Sequence, residues 1–423
     1  MLDIRFIREN EKEVEKMLQK RNMKIDLAHI LEIDDERKKL TAEVERLHHD
    51  RRVAAEAKDI KKGKEIKEKL AKQEAVLAAV EAKLQENLLN IPNMLLPDVP
   101  VGDESANKVI KKVGQPPKFD FEIKDHLELG ENLDLIDIPR AAKVSGSRFG
   151  YLKNEAALLE FALVQYALKT LDREGFTPIV PPVLIKKEIT EGLGYWQGGG
   201  NENYYLVSDF GIGGTEEGKP LPLYLIGTGE HALAPMHSQE ILDEKDLPRR
   251  YAAFSSCFRR EAGSYGKDTR GIFRVHQFDK VEMVSFVRPE DGEEEFKKLL
   301  GIEEKLVQAL ELPYQLVELA SGDLAFPSAK TVDTEVWIPS QNRYRETHSV
   351  STTTDFQARR LGIRYKEKDK TKPVHILNAT AFAIGRTLIA ILENYQQKDG
   401  SVKIPKVLHE YLGKDIIQRP KPV

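Results

Sequence analysis

Four arginines, Arg259, Arg260, Arg270 and Arg274, crowd the stretch "CFRREAGSYGKDTRGIFRVHQFDKVEM" in a chain whose formal charge is −4. Two strand-like runs flank its Gly-, Lys- and Asp-containing middle, so the pattern predicts a long hairpin with a cationic loop. Guanidinium groups at both strand ends can grip phosphate oxygens through paired hydrogen bonds, in a way a lysine ammonium cannot. A separate arginine, Arg386, follows Gly385 in "AIGRTLIAILEN". It falls at an expected helix start, where the backbone dipole also favours anions. Two separated arginine sources suit a bent polyphosphate, with Arg259 on one phosphate and Arg386 on another. The competing reading is ion pairing with nearby acids such as Glu261 and Asp268.

Polyphosphates travel with divalent metal, and "RYRETHSVS" supplies Glu346 and Ser349 near a strand end. Mg²⁺ keeps several waters and takes only one or two protein carboxylates, so this small ligand set suffices. Glu346 could equally pair with an arginine. A third group could read a small amino acid. Glu282 alternates with apolar neighbours in "FDKVEMV", which turns its carboxylate toward a pocket, and a buried carboxylate needs a partner such as a substrate ammonium. Thr228 and Glu230 in "IGTGEHAL", and Thr380 in "LNATAF", offer polar contacts of the same kind; each alone also fits a cap or a surface position.

The elements that must hold these residues differ along the chain. Its 423 residues suggest two or three domains, and 65 Lys+Arg against 69 Asp+Glu give no global sign of a nucleic-acid binder. The single cysteine, Cys257, excludes an intramolecular disulfide and a multi-cysteine zinc site. No apolar run approaches the roughly 20 residues that span a bilayer, and "MLDIRFIREN" is charged from its third residue, unlike a secretory signal. A soluble cytoplasmic protein is the expectation. In residues 1–100, Ile33, Leu40, Val44 and Leu47, then Ile66, Leu70, Leu77, Val80, Leu84 and Ile91, form two seams of coiled-coil type. Gly63 in "KDIKKGKE" suits a reversal, so an antiparallel coiled-coil hairpin is expected over about 28–91, as a protruding arm rather than a packed helix pair. Arg51, Arg52, Lys58, Lys61, Lys62 and Lys64 crowd its tip. Such a run is usually a solvated face, but on an arm it could meet a phosphate backbone. Pro92, Pro97, Pro100, Pro116, Pro117 and Pro139 punctuate residues 91–145, and 101–145 reads as a connector. From 146 to 423, strand-like runs interspersed with a few helices, without regular βαβ alternation, argue for an α+β domain on an antiparallel sheet. No Walker A or G-x-G-x-x-G pattern occurs.

Together these stretches resemble the seryl-tRNA synthetases, class II aminoacyl-tRNA synthetases, over essentially the whole chain. "GFTPIVPPVL" is similar to class II motif 1, "FRREAGSYGKDTRGIFRVHQFDKVE" to motif 2 and "AFAIGRTLIAILEN" to motif 3. "ETHSVSTTTDFQARRLGIRY" is the most family-specific run. The resemblance implies an N-terminal hairpin arm for tRNA and a class II catalytic domain whose antiparallel sheet is flanked by helices. It implies ATP contacts from Arg259, Arg260, Glu261, Arg274, Val275, Phe278, Glu346, Thr347, His348, Ser349 and Arg386, with Phe278 as the ring stacked on adenine. Arg259 and Arg386 become the catalytic arginines, and Glu346 with Ser349 the Mg²⁺ ligands. The serine pocket maps to Thr228, Gly229, Glu230, Glu282, Asn378 and Thr380, and tRNA binding to the six basic tip residues.

The expected reaction is therefore ATP-dependent serine adenylation followed by transfer to serine tRNA, with selenocysteine tRNA as a further expected acceptor and a homodimer as the assembly. A ligase that adenylates a small amino acid for a carrier protein is the alternative; a non-enzymatic RNA-binding or coiled-coil adaptor stands further off, since Arg259, Glu282 and Arg386 are all present. The chain departs from the family pattern at Gly229, where Ala or Ser is usual, and at Val350, where Cys is usual. It departs again through "ITEGLGYWQGGGNENYYLVSDFGIGG" and at the arm tip.

Overall fold

The computed structural model describes residues 1–197, 202–207, 215–216, 219–220, 222–262 and 270–419. Two units separate between Met94 and Leu95. The first is helical: α1 (Ile4–Glu9), α2 (Glu11–Lys20), α3 (Leu27–Glu56) and α4 (Ile60–Leu89). Aspartates start three of them. Asp3, Asp26 and Asp59 each accept a backbone N–H of the first turn, satisfying donors that the helix leaves open. Asp34, buried on α3, gathers Arg8 of α1 at 2.8 Å, Arg37 at 2.8 Å and Lys38 at 2.9 Å, which ties the first helix to the third. Burial would raise the Asp34 carboxyl; Lys38, Arg37 and Arg8 overcome it and bring it down to about 2.

Val44, Leu47 and Ala54 of α3 close on Ile66 and Leu70 of α4, with Leu77 alongside. The sequence positions run in opposite directions, so the pair is an antiparallel hairpin; His48 Nε2 and Glu74 Oε1 meet across it at 3.2 Å. The reversal lies earlier than the glycine suggested. Lys58 takes a left-handed φ of 56°, Asp59 N–H returns to Ala54 O at 2.9 Å, and Asp59 caps α4. A capping aspartate and a left-handed residue make the turn, and Gly63 is left inside α4.

The second unit is built on an eight-stranded sheet. Its strands are β1 (Lys108–Val113), β2 (Thr177–Ile179), β3 (Arg249–Phe258), β4 (Gln277–Val287), β5 (Tyr314–Glu318), β6 (Lys330–Ile338), β7 (Arg343–Thr354) and β8 (His375–Ala383), in spatial order β1-β5-β6-β7-β8-β4-β3-β2. All pairs are antiparallel except β2 on β3. The stretch read as a connector is thus part of this unit, since β1 forms a sheet edge. Four helices matter for the site: α5 (Asn154–Arg173), α6 (Glu230–Leu233), α7 (Gly292–Ala309) and α8 (Ile384–Asn394). One sheet face turns Val281, Met283, Leu377, Ala379 and Ala381 into the main core with α5, α7 and α8. The alternate residues of β4 and β8 face the other way. There Val284, Phe286 and Ile376 join a second core with Leu193, Leu233 and Leu361. Between the two cores this second face carries the polar side chains.

Candidate active site

The hairpin expected from the arginine-rich stretch is β3–β4, in register from Arg249↔Phe286 to Phe258↔Gln277. Residues 263–269 of its loop lie outside the described residues, as do 198–201 and 208–214 of the stretch that departs from the family pattern. Arg259 follows directly on β3. Its Nε donates to Gly227 O at 3.0 Å, and its guanidinium lies 5.3 Å from the Phe278 ring. Phe258 N–H in turn bonds Ile226 O at 2.8 Å, so the end of β3 carries the segment that leads into α6.

Arg386, in the first turn of α8, meets Glu346 twice: at the backbone oxygen and at Oε2, each 3.0 Å from NH1. Phe273 lies beneath two guanidiniums, 5.0 Å from Arg386 and 3.9 Å from Arg345. Arg274 donates to Glu261 Oε2 at 2.7 Å. The ion-pair readings therefore hold for Arg274 with Glu261 and for Glu346 with Arg386. These pairs do not bury the arginines, which stay open to the cavity described next.

That cavity has a volume of about 790 Å³ and runs across the second face of the sheet. Thr228, Glu230, Arg259, Arg274, Glu282, Glu346, Ser349, Asn378, Thr380 and Arg386 all line it. A smaller recess of about 90 Å³ adjoins it, adding Glu261, Val275, Phe278 and Thr347 to the same constellation. Two irregularities in the sheet make this possible. Thr334 pairs with His348 but Glu335 with Glu346, so Thr347 is an extra residue in β7. Strict alternation would send Glu346 and Ser349, three apart, to opposite faces; the bulge brings both to the cavity. A second irregularity, at Ala381 of β8, falls where Glu282 pairs with Thr380.

Three expected residues lie elsewhere. Arg260 is exposed, and its N–H bonds Asn203 O at 3.0 Å. Gly229 sits behind the cavity wall, where an added Cβ would come 3.0 Å from Glu282 Cβ. His348 points to the opposite face, 2 % exposed and edge-on to Phe382. Burial lowers its imidazole to about 3. Its place within the four-residue run Glu346–Ser349 is explained by the bulge, which leaves it on the core side. In the helical unit, Arg51, Arg52, Lys58, Lys61, Lys62 and Lys64 are all exposed.

Electrostatics divide the cavity in two. Around Glu282 the groups are buried: Thr228 is 5 % exposed, Glu230 3 %, Glu282 2 %, and the Asn378 amide nitrogen has no partner among the described residues. Burial pushes Glu282 up despite its ion pair with Lys280, and pushes Glu230 to about 7 against the pull of Gln357 and Tyr195. Two buried carboxylates beside an unpaired amide make a site for a small cation that also carries hydrogen-bonding groups. At the other end, crowding by protein would raise Glu346, but the Arg386 charge and hydrogen bond hold it below the usual carboxylate range. That end gathers arginines around a carboxylate at the rim, an arrangement that can receive an anion.

Lys280 was not singled out from the sequence, although it lines both cavities. The two-residue period linking it to Glu282 was the signal that could have found it. Tyr195, Tyr204 and His231, which wall the cavity beside Glu230, carried no such signal. A separate concavity of about 740 Å³ lies over Ile241–Lys245, Arg288, Lys366 and Lys368 and contains none of the expected site residues.

Both units match known proteins. Residues 1–95 match the seryl-tRNA synthetase N-terminal domain, and residues 215–395 the tRNA synthetase class II core domain (G, H, P, S and T). The serine–tRNA ligase of Acidothermus cellulolyticus is 44 % identical over 100 % of both chains. That of Nitrosopumilus maritimus is 41 % identical over 98 % of this chain and 99 % of the relative. The crystal structure of seryl-tRNA synthetase from Pyrococcus horikoshii complexed with ATP superimposes with a TM-score of 0.90 at 39 % identity, covering 100 % of each chain. With its helical unit and its sheet unit both matched, and relatives more than 40 % identical along the full length, the chain belongs to the seryl-tRNA synthetase family.

Proposed function

We infer that this chain activates L-serine with ATP and transfers it to serine tRNA. One observation carries the reading: a buried carboxylate pocket and an arginine-lined anion site share one cavity on one sheet face. Serine bound through Thr228, Glu230, Glu282, Asn378 and Thr380 would point its carboxylate along that face toward an α-phosphate held by Arg259. In-line attack there forms the seryl–AMP anhydride and releases pyrophosphate, on which Arg386 and Arg274 act. The terminal ribose hydroxyl of the tRNA then attacks the acyl carbon and AMP leaves. Cys257 is fully buried and burial raises its thiol, so it is no nucleophile for this chemistry. Catalysis rests on alignment and on fixed positive charge where phosphate charge develops.

Glu346 and Ser349 suit a Mg²⁺ ion, since the bulge turns both toward the cavity and the Glu346 side chain is 48 % exposed, with Arg386 on its Oε2. Bound there, the ion would neutralise phosphate charge. Arg386, anchored to the Glu346 backbone, keeps that carboxylate charged and turned to the rim.

The exposed lysines and arginines of the α3–α4 turn supply the contact with the tRNA backbone. Selenocysteine tRNA is proposed as a second acceptor, and a cytoplasmic location goes with the reaction. No helix among the described residues is long and apolar enough to cross a membrane. A homodimer is supported by Leu158 and Phe161, one turn apart on α5 and 54 % and 57 % exposed, and by Val180, 91 % exposed just beyond edge strand β2. Apolar side chains left in water beside an unpaired strand edge are accounted for by a second copy.

The deciding experiment is ATP–pyrophosphate exchange with serine, alanine, threonine, glycine and cysteine in parallel, followed by charging of serine tRNA. Serine-specific exchange with charging is the expected result. Exchange without charging would move the reading to the carrier-protein alternative, and no exchange with any amino acid would overturn it.

A further inference from the structure

Glu230 is held by two neutral donors that the chemistry above does not use. Tyr195 OH lies 2.9 Å from its Oε2 and 3.2 Å from its Oε1, and Gln357 Nε2 donates to Oε1 at 2.8 Å. Both donors are themselves fixed. Gln357 is fully buried, its Nε2 also donates to Leu193 O at 3.2 Å, and its Oε1 accepts from Thr353 Oγ1 at 3.2 Å. The Tyr195 ring packs 5.1 Å from that of His231, which also stacks on Tyr204 at 5.4 Å. Gly227 N–H donates to His231 Nδ1 at 3.1 Å, so the imidazole is locked in place beside Glu230.

No cation of the protein touches Glu230 among the described residues; Lys280 pairs instead with Glu282, two residues along β4. A buried carboxylate served by neutral donors alone awaits a positive partner. We propose that Tyr195 and Gln357 are positioning residues for the amino-acid substrate, holding the Glu230 carboxylate in one orientation and favouring its charged form for the incoming ammonium. This rests on the serine-activation reading above and adds a pair of residues to it.

Every group facing Glu230 fits this role. Burial keeps the Tyr195 and Tyr204 hydroxyls well above their ordinary range, so both remain protonated. Burial, with Arg259 and Lys280 nearby, holds the His231 imidazole neutral. Glu282 pushes Glu230 toward its protonated form, and Lys280 pulls the other way. Glu230 itself sits at about 7, where a change in either donor moves its charge across neutral pH.

The test uses the full chain and serine-dependent pyrophosphate exchange from mildly acidic to mildly alkaline pH, for wild type, Tyr195→Phe and Gln357→Met. Tyr195→Phe removes one oxygen and keeps the ring packing. Each variant is expected to raise the serine KM by about 10-fold, the loss of one hydrogen bond to a charged group, with the ATP KM unchanged. Removing a donor to the charged form raises the carboxyl pKa, so the acid limb of kcat/KM for serine moves to higher pH, by about half a unit or more. An unchanged serine KM in Tyr195→Phe overturns the proposal. So does a raised KM with the acid limb unmoved, which marks a packing effect alone. If Gln357→Met fails to fold, Tyr195→Phe still decides. Failure of the wild type to exchange serine would instead overturn the reading on which the proposal rests.

Discussion

The α3–α4 turn and the sheet-borne cavity both concentrate positive charge, and they do so in opposite settings. At the turn, six lysines and arginines stand in water, and among the described residues none of their side chains is ion-paired. In the cavity, Arg259 leans on Gly227 O and Phe278, Arg274 on Glu261, and Arg386 on Glu346 and Phe273. Free charges on long side chains act additively and are screened by salt. Anchored charges cost no reorganisation when phosphate charge develops, so each is worth far more. The difference predicts that single substitutions suffice in the cavity, whereas the turn must lose several charges before it fails.

The largest effect should come from Arg259→Ala. Loss of one preorganised donor at the α-phosphate is expected to lower serine-dependent pyrophosphate exchange by about 10²–10³-fold. Stopped-assay kinetics at saturating serine and ATP would read it. Near wild-type exchange would remove Arg259 from the reaction and break the contrast with the turn.

Next comes replacement of Arg51, Arg52, Lys58, Lys61, Lys62 and Lys64 by alanine together. The expected outcome is a 10-fold or greater loss of tRNA affinity, together with a shallower dependence of that affinity on salt, while exchange without tRNA is unchanged. Substituting one of the six should cost only a few-fold. A single substitution that abolished charging would show that the turn, too, has an anchored charge.

How much of this was legible in the sequence follows the same division. Heptad spacing named the seam, because Val44, Leu47, Ile66 and Leu70 need only the helical period to meet. The reversal was misplaced at Gly63, since the signal that won was an aspartate cap after a left-handed lysine. In the sheet unit, the α+β class and the hairpin followed from alternation. Glu346 and Ser349 did not, because a strand's period of two places them on opposite faces and no residue type announces the bulge at Thr347. Oxygen-ligand chemistry named both residues where periodicity could not place them together, and the resemblance added His348, which the same bulge leaves in the core. Glu303 was invisible for another reason: in "GEEEFKKLLGIEEKL" it is one glutamate of many. It is nevertheless fully buried on α7, where burial pushes its carboxyl well up and Thr334 donates to it at 3.0 Å.

The seam itself can be tested by Leu70→Ala. Leu70 is 3 % exposed, yet it lies in a two-helix contact rather than a deep core. The expected loss is about 2 kcal/mol, at the low end for a buried leucine because water reaches the site once the side chain is cut back. Thermal unfolding followed by far-ultraviolet circular dichroism would show it as an earlier helical transition. Pyrophosphate exchange should survive unaltered at temperatures below that transition; if exchange falls in step with helix content, the two units do not behave as the contrast requires.

The smallest effect concerns space rather than charge. Gly229 precedes Glu230 at the start of α6, with a backbone conformation open to any residue, φ −57° and ψ −28°. A Cβ added there would meet Glu282 Cβ at 3.0 Å and Ser255 Oγ at 3.5 Å. The first distance is tighter than most packed Cβ contacts, and Glu282 cannot retreat freely, because its carboxylate is tied to Lys280 and its strand is paired on both sides. Gly229→Ala should therefore shift Glu282 by a few tenths of an ångström and raise the serine KM by about 3- to 10-fold, the range expected when a buried polar contact is strained rather than lost. The ATP KM should not change, since Arg259 and Arg386 hang from other anchors. An unchanged serine KM would mean that α6 itself moves to make room, and the serine end of the cavity would then be softer than its buried, anchored carboxylates imply.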